Sequence, residues 1–430
     1  MKRNIPYFVI VCISVFLGIL FFSPKQVVRS EGQSPAIWPV RSVDTMKTSR
    51  DMARVKLNDP SYDTSIQKEL TRIKELGANY VTIDTPYDDE FYPYLLRWVT
   101  LARKTGLHVW FRGNFSGWEG WFDYPKNIDP QEHQRRTAEF IATHSELFQD
   151  GDAFDPCPEC ENAGFWKQPE GNTAFNEFIM NQQVVLKNSF DQIHKNVHIN
   201  WTSIIGGRAK EVLDTQAVRA LGNLITIDHY VKTPKDMETY INYFSQSMKS
   251  DVLIGEFGAP IPDINGPMTE DQQANFVDSI FNVLYAKKQY VEGVNYFALS
   301  NGTTEIIDAL GNVTKAYNVI KKYYIPGQIT GDVTNTLGDF VSNEPVKTID
   351  GTNQTVTDAK GKFSLVGPAV PTTIVVGGKI YQSLQYAFDL TNGDTIHSNI
   401  QLSPIKPNRI YIIRLWLRSF INTLKQRFTS

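Results

Sequence analysis

Cysteine is scarce in this chain, with three in 430 residues. Cys12 lies in an apolar run near the start, which leaves the short motif Cys157-Pro158-Glu159-Cys160. A four-cysteine zinc site is excluded, and any zinc site would have to recruit histidine. In an oxidising compartment a local disulfide is the first reading of the pair, free thiols the second and a metal the last. Positive charge is not in excess either. The 43 Lys and Arg stand against 46 Asp and Glu, for a net charge of −3, which argues against a nucleic-acid-binding protein. No Gly-x-Gly-x-x-Gly follows the first strand-like run, which disfavours a dinucleotide-binding open sheet.

Long apolar runs are nearly absent as well. The one present extends from Ile5 to Phe22, 18 residues behind Lys2 and Arg3. That is long for a cleavable signal and just enough to span a bilayer. No Ala-x-Ala site follows, so an uncleaved signal-anchor is expected, with a cleaved signal as the alternative. The bulk of the chain would then lie outside the cytoplasm, at the cell membrane or secreted. Residues 23–36 read as a stalk.

Aromatics are plentiful at 12%, with eight Trp and nineteen Tyr. From 37 to 325, strand-like runs alternate with amphipathic helical patterns. Strands are read at 37–43, 80–83, 107–111, 153–154, 197–201, 224–227, 252–254 and 293–298. Helices are read at 64–76, 93–104, 131–147, 176–194, 236–248, 271–286 and 316–323. About eight strand–helix units in this length predict an α/β fold, a (β/α)8 TIM barrel. After Tyr324 the helical period vanishes. Turn signals such as Asp350-Gly351, Gly377-Gly378 and Asn392-Gly393 predict a small β-sandwich over 326–404. The tail, 405–430, is basic and carries no acid, with interleaved Ile410, Ile413, Trp416 and Phe420. Two readings stand for it: an amphipathic helix on a lipid surface, or a helix docked on the sandwich.

The chemistry centres on Val252-Leu253-Ile254-Gly255-Glu256-Phe257-Gly258, a buried-strand run ending in a carboxylate. In α/β barrels such a position lies at the mouth where active sites are built. A second carboxylate on another strand end would complete an acid and nucleophile pair for glycoside cleavage. The segment Asp155-Pro156-Cys157-Pro158-Glu159-Cys160-Glu161-Asn162, at the expected fourth strand, offers Glu159 and Glu161.

Ile254-Gly255-Glu256-Phe257-Gly258 resembles the seventh-strand nucleophile motif of glycoside hydrolase clan A, family 5 in particular. The resemblance implies a retaining β-glycoside hydrolase with Glu256 as nucleophile. It also implies that Glu159 is the acid/base, with Glu161 as fallback. The clan's fourth strand ends in Asn-Glu-Pro; here Pro158 stands in place of the Asn and Cys160 in place of the Pro. The clan's Asn holds the substrate 2-hydroxyl, and this chain has no equivalent at that position. By the same resemblance, Tyr230 in Asp228-His229-Tyr230 would hydrogen-bond the nucleophile, and His229 is either a site residue or structural. Arg112, near the end of the third strand with Asn114, either holds the nucleophile ionised by charge pairing or forms a purely structural ion pair. Asn200 and Trp201 on the fifth strand are candidate sugar contacts or simply core, and Trp118 and Trp121 in the loop after the third are candidate sugar contacts, with packing over the barrel mouth as the alternative. Phe297 falls near where the clan often has a Trp. Separately, Thr355–Ser364 resembles the carboxypeptidase-regulatory-like, transthyretin-like fold, which implies packing or adhesion rather than chemistry. The expected substrate is a carbohydrate, with no cofactor and no metal. The competing reading is a non-catalytic glycan-binding or scaffold protein at the cell surface.

Overall fold

The computed structural model describes residues 35–116, 120–127, 129–163, 171–391 and 393–429, with backbone alone for 425–429. The expected signal-anchor and stalk at 1–34 and Trp118 lie outside the described residues. Eight strands run in parallel: β1 (Val40–Val43), β2 (Tyr80–Ile83), β3 (His108–Phe111), β4 (Ala153–Phe154), β5 (Ser203–Ile205), β6 (Leu224–Asp228), β7 (Asp251–Phe257) and β8 (Val291–Tyr296). They form a five-stranded sheet in the order β1-β8-β7-β6-β5 and a three-stranded sheet β2-β3-β4. Parallel bridges Asp44–Thr82 and Ala153–His198 join the two sheets, so the strands close into a ring.

The local causes are plain. Parallel strands wrapped in helices are buried on both faces, and β2 reads Tyr-Val-Thr-Ile with every residue buried. The helix Asp63–Glu75 buries Ile66, Leu70 and Ile73, a spacing of four and three that makes one stripe. Gly106 ends the helix Tyr92–Thr105 in the left-handed conformation, φ 74°. Capping boxes start the helices Pro234–Tyr243 (Thr233 with Asp236) and Glu270–Ala286 (Thr269 with Gln272). Two short helices between β5 and β6, Gly206–Val212 and Thr215–Ala220, were not expected. Each is shorter than the length at which a helical period becomes legible.

The ring's interior is layered. At the end where the strands begin, Val40, Tyr80, Trp110, Ala153, Trp201, Leu224 and Leu253 form an apolar plug. Toward the end where the strands finish, the interior turns polar. Ser42 Oγ lies 2.9 Å from Thr82 Oγ1, and Thr82 Oγ1 donates to Asn295 Oδ1 at 2.9 Å. That polarity gradient points every functional group to one mouth.

Beyond Tyr324, seven strands, β9 (Gly327–Asn335), β10 (Pro345–Thr348), β11 (Gln354–Val356), β12 (Lys362–Gly367), β13 (Thr372–Val376), β14 (Leu384–Phe388) and β15 (Thr395–Leu402), form sheets β12-β9-β15 and β11-β10-β13-β14. Alternate residues of β9 are buried, the period of a half-buried strand. Ile329, Val333, Phe363, Ile374 and Ile400 fill the core between the sheets. Tyr285 donates to the Val366 carbonyl (3.3 Å) and the Ala369 N–H to the Lys322 carbonyl (2.8 Å), fastening this unit to the barrel. A final helix spans Arg409–Thr429. Among the described residues no helix is long and apolar enough to cross a membrane.

Candidate active site

Glu256 sits at the end of β7 and is almost completely buried. Arg112 Nη1 donates to its Oε1 at 2.7 Å, and the Tyr230 hydroxyl donates to its Oε2 at 2.5 Å. Both oxygens thus face donors. The strand can bring Glu256 to this point only because residue 255 is glycine. A Cβ there would lie 2.4 Å from Asp228 Oδ1, and one at Gly258 would lie 1.7 Å from the Phe297 carbonyl oxygen.

Arg112 is fully buried and is the hub. Its Nη2 donates to Asp228 Oδ2 (2.7 Å) and Ser203 Oγ (2.9 Å), and Nη1 also reaches Asp44 Oδ2 at 3.5 Å. Burial alone would oppose its charge, but Asp228, Glu256, Asp84 and Asp44 raise its pKa well above the usual arginine value. Asp155 Oδ2 lies 4.0 Å from Arg112 Nε, so five carboxylates gather around one guanidinium. Burial, then the Glu256 charge, pushes Asp44 up to about 7. Asp84 is raised still further, by burial first and then by Asp44, and neither of its oxygens has a hydrogen-bond partner among the described residues. Asp155, pushed up to about 6 mainly by burial, accepts from the Ser203 N–H and hydroxyl at 2.9 Å each.

Glu159 lies on the turn after β4 in the left-handed region, φ 53°, a conformation that costs a non-glycine residue roughly 1 kcal/mol. Its N–H donates to the Ser203 carbonyl at 3.0 Å, which ties the turn to β5. The flanking Cys157 and Cys160 are joined in a disulfide, Cα atoms 5.4 Å apart, so the first reading of the pair holds here. The Glu159 side chain is half-buried. Burial, then the charges of Asp228, Glu256 and Glu161, raises its pKa well above the ordinary carboxylate value. Glu161 faces elsewhere: its Oε1 accepts from the Ile205 N–H at 2.7 Å, and burial lifts its pKa to about 7.

Several expected contacts are corrected. Asn200 and Trp201 precede the hydrogen-bonded strand and lie at the opposite end of the barrel. Trp201 packs in the apolar plug, its ring 5.2 Å from Tyr80 and 5.0 Å from Trp110. The Asn200 amide donates to the Leu221 carbonyl. The run 197–201 is a strand by composition, but only His198 bridges β4, and the paired β5 starts at Ser203. Asn114 is buried, its Oδ1 accepting from the N–H groups of Phe115 and Ser116. It shapes its own loop. His229 is structural: its ring lies 3.9 Å from that of Tyr240 and fills the space that a Cβ on Gly206 would occupy. Burial lowers its pKa to about 4. Trp121 is half-buried, with the Arg50 guanidinium 3.8 Å above its ring. Phe297 is half-exposed, edge-on to Tyr230 at 6.0 Å.

Sequence reading missed Asp44, Asp84, Ser203 and Asn295, and gave no role to Asp155 or Asp228. Asp44 and Asp84 each directly follow an apolar strand run. The signal that singled out Glu256 was therefore present for them too.

Residues 220–320 match the family described as the glycosyl hydrolase catalytic core. That stretch carries β6 to β8, and with them Asp228, Tyr230, Glu256 and Phe297. No curated protein sequence matches the chain. Similar solved structures include a family 5 xyloglucanase from Paenibacillus pabuli, 13% identical over 60% of this chain and 90% of that one, TM-score 0.44. Another is an endoglucanase from the hyperthermophilic Thermotoga maritima, 16% identical over 65% and 96%, TM-score 0.44. A third is a family 39 glycoside hydrolase from Bacteroides cellulosilyticus WH2, 11% identical over 82% and 80%, TM-score 0.44. The resemblance to glycoside hydrolases seen at Glu256 thus extends over the matched segment, which supports a glycoside hydrolase.

Proposed function

We propose that the chain is an exported, membrane-tethered retaining β-glycoside hydrolase acting on an oligo- or polysaccharide. One observation carries the reading: Glu256 is clamped between the Arg112 guanidinium and the Tyr230 hydroxyl, while Glu159, on the turn after β4, feels the charges of Asp228 and Glu256. In the proposed cycle the Glu256 carboxylate attacks the anomeric carbon as the Glu159 carboxylic acid protonates the departing oxygen. Water then attacks the glycosyl-enzyme with the Glu159 carboxylate as base, which regenerates both groups. The raised pKa of Glu159 suits the acid role, since it keeps the proton at a pH where an ordinary carboxyl has lost it. Tyr230 and Arg112 position and charge-balance the nucleophile, and Phe297 offers an apolar edge at the mouth.

Tethering is proposed from the apolar run at 5–22 and reinforced by the final helix. Ile410, Ile413 and Trp416 on that helix are 70%, 57% and 64% exposed, and its described charges are basic, which suits an anionic lipid surface. Among the described residues its polar contacts to the sandwich are Tyr411 with Thr336, Arg414 with Asp339 at 3.0 Å and Arg418 with the Thr336 carbonyl at 3.2 Å.

The test is a screen of aryl β-glycosides and polysaccharides with wild type and Glu256→Gln, with the anomer of the first product read by NMR. The expected result is turnover with retention, lowered by several orders of magnitude in the variant. Inversion would remove the double displacement. Tight glycan binding without turnover in either protein would favour the non-catalytic reading.

A further inference from the structure

The Cys157–Cys160 bridge has a third member beside it. His133, on the helix Pro130–Thr143, is completely buried, and one of its ring nitrogens lies with both sulfurs in a cluster whose ligand atoms are all within 4.8 Å of one another. Among the described residues neither ring nitrogen makes a hydrogen bond of normal geometry, and the polar groups that bear on the ring are the Gln182 side chain and the Pro156 backbone. The surroundings are mostly aromatic: Phe115 packs edge-on at 5.9 Å and Phe178 at 5.6 Å. Asn114 Oδ1 lies 3.7 Å from Cys157 Sγ.

We propose that, when the disulfide is reduced, Cys157, Cys160 and His133 bind one zinc ion, so that the turn carrying Glu159 exists in a bridged and a metal-held form. The Cys-x-x-Cys spacing with a histidine from another element is a donor set that zinc favours. Tetrahedral zinc with bonds of about 2.0–2.3 Å needs donors within roughly 4 Å of one another; the sulfurs, bonded here, would part on reduction, and the histidine nitrogen already stands within 4.8 Å of both. Three protein ligands leave the fourth position to water. The step balances as thiol–disulfide exchange. A dithiol reductant supplies two electrons and two protons, the S–S bond breaks, and the reductant leaves as its own disulfide. Zinc uptake then releases the two thiol protons. This inference does not depend on the hydrolase reading.

The full chain is treated with a phosphine reductant, which takes up the oxygen of water as it opens the bridge. The oxidised and reduced proteins are then dialysed against zinc, and in parallel against cobalt as a spectroscopic probe. The expected result is one zinc per reduced chain, none per oxidised chain, and a thiolate-to-cobalt charge-transfer band. Cys157→Ser with Cys160→Ser, which retains Cys12, should bind none. His133→Asn, confirmed folded by its near-ultraviolet circular dichroism, should bind at least about tenfold more weakly. Equal zinc in both redox states overturns the proposal, as does a cobalt spectrum without the thiolate band or undiminished affinity in His133→Asn. It is overturned equally if the reduced chain loses its tertiary signal and zinc does not restore it.

Discussion

At the residue scale, Arg112 determines the character of the site. A planar guanidinium can donate to Glu256 and Asp228 together, whereas an ammonium is a single point. Arg112→Lys should therefore lower kcat/KM by at least about tenfold. Arg112→Met should in addition destabilise the fold by roughly 3–5 kcal/mol, because it strands buried carboxylates. Thermal unfolding of the two variants checks this, and equal melting temperatures would contradict it. Tyr230→Phe isolates the other donor. The change removes only the hydroxyl that meets Glu256, so turnover should fall by about ten- to a hundredfold while the melting temperature moves little. Much of this arrangement was legible in advance. The strand-terminal carboxylate and the Arg of the third strand were visible as residue types at strand ends, and the Tyr of the sixth through the resemblance to clan A. Asn114 and His229 were misplaced because residue type does not show which way a side chain turns. Asn114 bonds to its own loop, and His229 fills the gap over Gly206.

At the scale of elements, close approach between strands limits what can stand at Gly258. A Cβ would collide with the rigid backbone of the β8 exit, so Gly258→Ala should cost about 3 kcal/mol or more and express poorly. The turn bearing Glu159 responds differently. Its bridge closes a very small loop, so it should contribute only on the order of 2 kcal/mol or less to stability. Changing both cysteines to serine should accordingly hurt activity more than melting temperature. The helix Asp63–Glu75 carries a separate pH effect. Thr48 and Ser300 hydroxyls reach Glu69, yet burial dominates and lifts its pKa to about 7. The folded state thus holds a proton that the unfolded chain releases near 4.5. Stability from this group is present below about pH 4.5 and declines as pH rises to about 7, on the order of 2–3 kcal/mol. Glu69→Gln should flatten the melting temperature across that window.

At the scale of the whole molecule, a barrel, a sandwich and a terminal helix stand in series. The apolar residues of that helix face outward, so membrane attachment can be divided between two segments. Full-length protein should fractionate with membranes and resist high salt. A version lacking residues 1–30 should bind anionic vesicles in low salt and release in high salt, because the basic residues are screened and the apolar face alone is weak. Co-sedimentation across a salt series checks this. Absence of binding in low salt would make the helix only an appendage of the sandwich.

The sequence by itself determined the alternation of strand and helix, the change to an all-β segment after Tyr324 and the position of Glu256. Each of these is written in local periodicity or in a single strand-end residue. Only the tertiary structure decided that five acids share one guanidinium, and that Glu159 and not Glu161 feels the charges of Glu256 and Asp228. It likewise decided that Trp201 belongs to the far end of the barrel, and that His133 meets the cysteine pair. The physical reason is the closure of the ring. Arg112 meets Glu256 from 144 residues away and Asn295 meets Asp44 from 251, because the strand ends converge at one mouth. The electrostatics of that meeting depend on distance and burial, which no stretch of sequence contains.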